Sequence, residues 1–564
     1  MLSIASERAR LQATADEEFY SAAADHVLLL ARTAESYRRF AEEMLREKYH
    51  LVTLVANDER ELADNSFKIY AVFSHTSLDL LVTLMLPLER GATSYPSLHH
   101  LFAAAIPFEC EVAERLGLIA IGQAPPAPCF RHPTYPSDLY PLRRTVMTAE
   151  IAEALKSRAQ APFTDEEERL PLGSGEFELP VGPIHAGVIE PGQFRFRVSG
   201  EVIEQLDLRL GYAHKGIERL FQMGYTLEDG WRLAEHVVGD SAVAHALAYC
   251  RAIESLAGTQ TPRPAELARS LCLELERLYN HMGDCAALAH DVALDLPAAD
   301  MSAPRESLLR LNERLVGHRL LRGVVRPGGV LLDAPLDPGD VRSKVSRAVR
   351  DFLPPARYLL THSGFRSRLM SVGVLTREMA ESVGATGLAA RASGVFRDYR
   401  RLHPTGAEAF PEVRAVLESP APDVDLYAAV ERTAGDAFAR YAARVAEVEL
   451  SAHLIECMLS LWDGAWKGKE YRAEVEMRGV PNFRFGLGYA EGWRGPVVYW
   501  LMKDKFGRIY RCKVCDPSSL NWPALKAAVE PHPGQTRSGR YEVLLADFPI
   551  VNKSFNLSYA GNDL

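Results

Sequence analysis

The sequence predicts an α+β fold in which a small α/β domain precedes a large, mainly helical domain with small antiparallel β parts at its start and end. Three observations support this prediction. The chain has 564 residues, enough for two or more domains with cores of their own. Residues 51–55 and 67–73 alternate in the manner of strands, whereas residues 216–330 have helical periodicity. A stretch rich in proline, glycine and acidic residues separates these two regions.

The composition excludes several classes of protein. Hydrophobic residues make up 47% of the chain and charged residues 24%, and the net charge of −10 argues against a nucleic-acid binder. No apolar run approaches the roughly 20 residues of a membrane-spanning helix, and the first residues lack the apolar core of a secretory signal. We therefore expect a protein that is cytoplasmic or is held at a membrane by partners. The eight cysteines are sparse, so we expect reduced, buried thiols rather than disulfides.

Residues 1–150 are predicted to form the small α/β domain. Residues 7–47 have a helical pattern, the two alternating segments follow, and residues 78–86 continue as a strand. Residues 151–180, which contain the acidic run Asp165–Glu168, are predicted to be a linker.

Residues 181–564 form the second predicted domain. It opens with alternating residues at 194–203, which indicate a small antiparallel sheet. Further on, a long helix is predicted to place four polar or sulfur-bearing side chains on one face, because they fall three or four residues apart: Glu274, Arg277, His281 and Cys285. Two interpretations of this face remain open. It is either a polar relay towards a redox or proton path, or a buried seam of mutually paired side chains.

Residues 206–254 carry the clearest resemblance to a known family. Their first part, Arg-Leu-Gly-Tyr-Ala-His-Lys-Gly-Ile-Glu-Arg-Leu at 209–220, resembles a motif shared by two related subunits. One is the large subunit of energy-converting, group 4 [NiFe] hydrogenases, including the formate hydrogenlyase type. The other is the 49 kDa-type subunit of respiratory complex I, which forms the quinone pocket. Residues 108–118 and 140–144 resemble parts of the 30 kDa-type partner subunit. The resemblance implies a 30 kDa-type docking domain at 1–150 and a hydrogenase large-subunit or 49 kDa-type domain at 181–564.

The resemblance also assigns the four cysteine ligands of a [NiFe] centre to positions that hold no cysteine in this chain. These positions are occupied by Val238, Ser241, Ser518 and Asn521. Soft thiolates select nickel and low-spin iron, whereas valine has no donor atom and a serine hydroxyl stays protonated near neutral pH. We therefore expect no metal bound by this chain. The chain also lacks a P-loop and a His-Glu-x-x-His motif.

Cys512 and Cys515 have the spacing of a ligand pair but precede the family's ligand positions. The segment around them alternates like a strand, and residues three apart in a strand point to opposite faces. We expect ordinary strand thiols.

A quinone site of the usual complex I design is altered as well. His185 matches the first histidine of the family's site, but Ile189 stands at the second histidine position and Gly239 at the tyrosine position. Neither side chain can hydrogen-bond a quinone carbonyl. We expect no cofactor held by this chain alone, and a quinone remains a candidate acceptor.

The resemblance implies a peripheral-arm subunit on the cytoplasmic side of the inner membrane. Its implied partners are an iron–sulfur small subunit, a ferredoxin-like subunit and antiporter-like membrane subunits. The chain would form the cavity beside the partner's iron–sulfur cluster and couple electron transfer, to quinone or another acceptor, to ion translocation. The candidate cavity residues are His185, His214, Glu218, Asp240, Arg494 and Asp516.

The two aspartates of this set are candidate proton carriers, because burial shifts the pKa of a carboxylate. The alternative is that they pair with arginine or lysine and simply fill the space. Two other functions also remain open: a non-redox scaffold subunit, and an active formate hydrogenlyase-type [NiFe] hydrogenase that uses other ligands.

Overall fold

The computed structural model has the predicted α+β fold, with 48% of the chain in helices and 19% in strands. The structure describes residues 4–15, 19–21, 26–122, 130–132, 135–158, 172–185, 189–332, 335–419, 435–462, 470–533 and 540–564. Within these ranges, no helix combines the length and the apolarity that a membrane span requires.

The N-terminal region is built around a five-stranded sheet with the strand order β1-β2-β5-β4-β3, in which only β2 and β5 run parallel. A short parallel pair, β6 and β7, lies beside it. The elements are α1 (Ile4–Ala15), β1 (Phe19–Ser21), β2 (His26–Leu30), α2 (Ala34–Arg46), β3 (Tyr49–Glu59), β4 (Ser66–His75), β5 (Leu81–Pro87), β6 (Ser94–Pro96), α3 (Ala105–Leu116), β7 (Ile119–Ile121) and α4 (Thr148–Arg158).

The helical pattern predicted over residues 7–47 is wrong in its middle part, because β1 and β2 interrupt it. Strand β2 pairs with β5 from His26 opposite Leu81 to Leu30 opposite Met85. A five-residue apolar run is too short for its periodicity to separate a strand from a buried helix. Pairing with a strand more than fifty residues away decides its conformation.

The large region begins with the predicted antiparallel sheet, in the order β10-β9-β8, and continues with helices around the 29-residue α8. The elements are β8 (Glu176–Val181), β9 (Gln193–Ser199), β10 (Val202–Arg209), α5 (Ile217–Gly224), α6 (Gly230–Ala234), α7 (Ala242–Ala257), α8 (Arg263–Asp291), α9 (Asp295–Val316), β11 (Val325–Arg326), β12 (Gly329–Leu331), α10 (Pro338–Thr361), α11 (Ser363–Leu369), α12 (Arg377–Ser382), α13 (Gly387–Ala392), α14 (Tyr399–Leu402), α15 (Pro411–Glu418) and α16 (Ala437–Ser460).

The C-terminal region returns to strands and then ends in short helices. Strands β14, β15 and β16 form an antiparallel sheet in sequence order, and β13 pairs with β12. The elements are β13 (Glu470–Arg472), β14 (Phe485–Glu491), β15 (Pro496–Lys503), β16 (Ile509–Cys515), α17 (Pro517–Val529), β17 (His532–Pro533), β18 (Arg540–Tyr541), α18 (Phe548–Phe555) and α19 (Tyr559–Asn562).

The sheet β14–β16 lies between two hydrophobic cores. On β15, Trp500 and Met502 pack into the core of the N-terminal region, while Tyr499 and Leu501 pack into the core of the helical region. Successive strand residues face opposite sides, so a strand buried on both faces has an almost continuous apolar sequence. The first 150 residues therefore dock directly on this sheet.

The same alternation separates the two strand cysteines. Cys512 belongs to the helical core and Cys515 to the N-terminal core, so the predicted opposite orientation is confirmed.

Helix α7 lies against strand β14 of the same sheet, and a Cβ on Gly488 would come within 2.2 Å of the Ala248 carbonyl oxygen. Glycine is therefore required where α7 crosses β14.

The predicted linker at 151–180 contains regular structure at both ends. Helix α4 occupies its first residues, and strand β8 begins before it ends. The acidic run Asp165–Glu168 lies outside the described residues.

Candidate functional site

Arg494, in the turn between β14 and β15, forms the centre of the site. Its Nη1 and Nη2 donate to the two carboxylate oxygens of Asp240 at 2.6 and 2.9 Å, and its Nε donates to the carbonyl oxygen of Asn556 at 2.5 Å. Its guanidinium carbon lies 3.8 Å from the centroid of the Trp493 ring. Burial alone would lower the pKa of Arg494, but the Asp240 carboxylate raises it above its ordinary value. Arg494 is therefore a fixed, permanent positive charge.

The turn that carries Asp240 is held by two side chains that the sequence did not single out. Trp493 donates its indole N–H to the Asp240 carbonyl at 3.2 Å and to Ser241 Oγ at 3.1 Å. Asn280 of α8 donates to the same carbonyl at 2.8 Å. Trp493 immediately precedes Arg494 in the sequence Glu491-Gly-Trp-Arg494, and this position was the one signal that pointed to it.

A cavity of about 690 Å³ opens beside Asp240. The Asp240 side chain is 39% exposed and that of Arg494 only 6%, so the ion pair presents its acidic partner to this cavity. The volume lies in the range that holds small molecules. Its other polar and charged lining residues are Asn280, Asp284, His290, Asp295, Ser302, Arg305, Lys553 and Asn556.

Asp516 lies at the start of helix α17, where it serves as the N-cap. Its Oδ1 accepts the Ser518 N–H at 2.8 Å, and its Oδ2 shares a hydrogen bond of 3.1 Å with His245, which in turn contacts Tyr499 at 3.0 Å. Burial alone would raise the pKa of Asp516, but the contact with His245 keeps it below its ordinary value. A carboxylate of this kind is a poor proton acceptor near neutral pH, so its contacts favour anchoring over proton transport.

Glu218 of α5 contacts β16 rather than Arg494. Its carboxylate accepts from Arg511 at 2.6 Å and from the Val514 N–H at 3.1 Å, and it lies 3.2 Å from the Lys513 ammonium. Lys513 also binds Glu111 of α3 at 2.5 Å. Burial alone would raise the pKa of Glu218, but the two cations hold it at about 2. Glu218 therefore belongs to an ionic contact that links the N-terminal and helical regions.

The two candidate histidines also make their contacts elsewhere. His185 Nε2 lies 2.5 Å from the Gly192 carbonyl oxygen, within the loop that precedes β9. His214 contacts the Asp563 carbonyl oxygen at 2.7 Å and Arg115 at 3.0 Å. Ile189 is 44% exposed. Of the six candidate residues, the structure brings Asp240 and Arg494 into direct contact.

Comparison with known protein families accounts for this architecture. Residues 31–151 match the 30 kDa subunit of respiratory-chain NADH dehydrogenase, and residues 295–483 match its 49 kDa subunit. The chain is a fusion of complex I 30 kDa-type and 49 kDa-type domains. The resemblance inferred from the sequence motifs is thereby confirmed.

The fused chain is similar to subunits of several complexes. It is 27% identical to formate hydrogenlyase subunit 5 of Escherichia coli (strain K12), over 91% of this chain and 84% of that protein. It is 28% identical to the membrane-bound hydrogenase subunit alpha of Pyrococcus furiosus, over 63% of this chain and 82% of that protein.

A solved structure shares the fold. It belongs to the membrane-bound sulfane sulfur reductase, an archaeal respiratory membrane complex. It matches with a TM-score of 0.59 and 22% identity, over 70% of this chain and 100% of that chain.

The four positions that the resemblance assigns to [NiFe] ligands are all buried, and their polar atoms are hydrogen-bonded. Besides the Trp493 contact, Ser241 Oγ accepts from Arg494 at 3.2 Å. Ser518 Oγ accepts the Ser558 N–H at 2.9 Å. Asn521 binds both backbone atoms of Thr386, at 3.0 and 3.1 Å. These groups form hydrogen bonds that fix neighbouring backbone.

Val238, the fourth position, packs beside the last helix of the fused chain. A Cβ on Gly561 would lie 3.0 Å from Val238 Cγ2 and 2.6 Å from the carboxyl carbon of Asp516. Residues 557–564 are buried throughout, although no motif in the sequence indicates it. The Asp563 carboxylate, for example, accepts the Ala213 N–H at 2.9 Å.

This set of donors does not fit a nickel–iron centre. The centre needs thiolates, whereas these positions offer an alkyl group, two hydroxyls and an amide. In the described ranges, no group of three or more His, Cys, Asp or Glu residues is placed to hold a metal ion. Burial raises the pKa of the Cys515 thiol to about 12 and that of Cys512 well above its ordinary value, so neither is a ready thiolate.

The polar face predicted on α8 is buried and mutually paired. Arg277 contacts Glu274 at 3.1 Å, and His281 contacts Glu447 of α16 at 2.9 Å. Arg391 binds Glu447 at 2.6 Å and Glu491 at 2.8 Å. This arrangement matches the second interpretation, a buried seam.

The buried seam on α8 contacts the candidate site next to Trp493. Arg277 donates to the Glu491 carbonyl oxygen at 2.6 Å, and the His281 ring meets Trp493 edge to face, with 5.9 Å between centroids. The seam therefore fixes the turn at residues 491–494, which carries Arg494.

Proposed function

We propose that the fused chain is the peripheral-arm subunit of a membrane-associated, complex I- and hydrogenase-like oxidoreductase complex that works without a [NiFe] centre. One observation carries the proposal: the four family ligand positions hold Val238, Ser241, Ser518 and Asn521, which are buried and, where polar, engaged in hydrogen bonds. Groups of this kind cannot replace four thiolates.

The names of the related proteins support the assignment to a respiratory complex. They include formate hydrogenlyase subunit 5, a subunit of the NADH-quinone oxidoreductase of Rhodospirillum rubrum and the archaeal sulfane sulfur reductase complex. By analogy, the chain would pair with an iron–sulfur small subunit, a ferredoxin-like subunit and antiporter-like membrane subunits. It would lie on the cytoplasmic face of the membrane.

The cavity beside Asp240 is where this chain would act on an electron acceptor. Arg494 would stabilise the negative charge that an acceptor, quinone or another molecule, gains when the partner's cluster reduces it. Asp240 is the accessible carboxylate of the pair, so the charge that the acceptor gains would arise beside it at the cavity wall. Coupling to ion translocation would begin with this change of charge.

Metal analysis of the purified intact complex tests the absence of the centre. We expect iron from the partner subunits and fewer than about 0.1 nickel atoms per complex, because no thiolate set is available. Stoichiometric nickel bound to this chain would refute the proposal and restore the alternative of an active hydrogenase.

Reoxidation of the reduced cluster by added decylubiquinone tests the role of the Asp240–Arg494 pair. Arg494→Gln removes the charge, and Asp240→Asn keeps the shape of the side chain but not its charge. We expect each to slow reoxidation at least about tenfold, a loss within the range for removal of one electrostatic contact. Arg484→Gln is the matched control, because Arg484 is an exposed arginine of the same region.

The alternative of a non-redox scaffold makes the opposite prediction. If the wild-type complex is not reoxidised by the quinone, this result counts against a quinone acceptor. If both variants react at the wild-type rate while the complex stays assembled, the pair has no redox role and the chain is a scaffold. Size-exclusion chromatography of each variant complex verifies assembly.

A further inference from the structure

A second cavity, of about 780 Å³, lies where the N-terminal sheet meets the large domain. Its walls come from the α2–β3 connection, residues 101–104, helix α12 and the loop 394–397. It shares no lining residue with the cavity beside Asp240. This cavity is therefore independent of the proposed redox site.

The charges on its walls are predominantly positive. Three cations, Lys48, Arg377 and Arg397, face one carboxylate, Glu381. Arg377 Nε pairs with Glu381 at 3.2 Å, which neutralises that part of the wall. Among the described residues, no carboxylate lies within ion-pair distance of Lys48 or Arg397. The walls therefore carry two positive charges without an acidic partner.

Arg397 differs in this respect from its neighbours in sequence. Arg391 and Arg400 are buried against carboxylates, which raise their pKa values. Burial lowers the pKa of Arg397, and Tyr399 and Glu381 offset this effect only in part. Partly desolvated guanidinium groups are normally paired, and an arginine fork matches a carboxylate or a phosphate. The electrostatics of the wall thus suit an anion.

The rest of the wall is suited to an apolar group. Leu101 and Phe102 form one side, and Phe396, which is 50% exposed, lies on the loop opposite. His50 also lines the cavity, and its Nδ1 is buried without a hydrogen-bond partner. A cavity of this size and mixed character is typical of small-molecule sites.

We propose that this cavity binds a small amphipathic anion, a carboxylate or phosphate on an apolar body. Arg397 and Lys48 hold the charged group, and Phe102 and Phe396 cover the apolar part. Nothing in this assignment depends on the chemistry proposed for Asp240 and Arg494.

Calorimetric titration of the intact complex with three probes tests the proposal: octanoate, 1-octanol and inorganic phosphate. Octanoate carries both features, whereas each of the other probes carries one. We expect octanoate to bind at least about tenfold more tightly than either, a difference equivalent to about 1.4 kcal/mol. Equal affinity for octanol, equal affinity for phosphate, or no octanoate binding at millimolar concentration would overturn the proposal.

Variants locate the binding in this cavity. Arg397→Gln is expected to weaken octanoate binding at least about tenfold, and Lys48→Gln about threefold. Arg401→Gln is the matched control, because Arg401 is exposed and lies only four residues away from Arg397. Lys48 is exposed, so its variant remains informative if Arg397→Gln fails to fold. Unchanged octanoate affinity in Lys48→Gln and in a folded Arg397→Gln would place the binding elsewhere and refute the assignment.

Discussion

Replacement of Glu218 by glutamine is expected to weaken the ionic contact between α5, β16 and the N-terminal region. Glu218 is buried, accepts a hydrogen bond from Arg511 at 2.6 Å and lies 3.2 Å from Lys513, whose ammonium also binds Glu111 at 2.5 Å. Glutamine keeps the volume of the side chain but removes its charge. Arg511 and Lys513 would then lose the carboxylate that they share, and buried charges without a partner are costly.

The pKa of Glu218 sets the size and the sign of the effect. Burial alone would raise this pKa, but the two cations hold it at about 2, below the ordinary value of 4.5 that applies to the unfolded chain. The difference corresponds to about 3 kcal/mol of stability. Because the folded pKa is the lower one, this contribution is complete above about pH 4.5. It is lost as the pH falls towards 2, by about 1.4 kcal/mol per pH unit.

Thermal unfolding measured from pH 7 to pH 3.5 tests this expectation. At pH 7 we expect Glu218→Gln to lower the Tm of the unit that contains α5 by about 5–10 °C. The difference should stay constant down to about pH 5 and shrink below it. Glu228→Gln, an exposed position nearby, is the control and should change Tm by less than about 1 °C. A wild-type Tm in Glu218→Gln at pH 7, or a difference that grows on acidification, would refute the reasoning.

Three further predictions concern the buried seam, the Arg494 turn and the strand thiols. Arg391→Leu removes the cation that two buried carboxylates, Glu447 and Glu491, share, so we expect a loss of about 3–5 kcal/mol in chemical denaturation. Gly387→Ala, at a φ of +61°, places a Cβ 1.9 Å from a backbone oxygen, whereas Gly394→Ala, at a φ of +79°, meets nothing within 4 Å. Tm should therefore fall clearly further for Gly387→Ala than for Gly394→Ala. Equal losses of Tm would contradict the steric argument. The double variant Cys512→Ala, Cys515→Ala should leave the metal content of the complex unchanged, and loss of a metal measured by mass spectrometry would contradict it.

The sequence was most informative where the local pattern and the tertiary environment agree. The alternation of residues 509–515 predicted a strand with its cysteines on opposite faces, and the two cores on either side of β16 confirm it. The spacing of Glu274, Arg277 and His281 likewise predicted one helical face. Their partner Glu447, more than 160 residues away, was beyond any local pattern.

The sequence was less informative where long-range contacts decide the outcome. The parallel pairing of β2 with β5 overrides the helical pattern of residues 7–47. At the site, Asp240 and Arg494 were among the candidates, but the hydrogen bonds of Trp493 and Asn280 that fix their turn depend on the packing of α8 against the turn. His185 and Glu218 match family motifs, yet their partners are Gly192 and Arg511. A motif identifies a residue but does not identify its partner.

The burial of the sheet β14–β16 between the N-terminal and helical regions affects how these two regions are synthesised and assembled. If they were produced as separate polypeptides, Val498, Trp500 and Met502 would face water until the halves met, and their meeting would depend on concentration. In one continuous chain this meeting is intramolecular, so it proceeds at any expression level. Synthesis as a single polypeptide also supplies the two halves in equal numbers. No unpaired half with an exposed apolar surface is left for proteases and chaperones to remove.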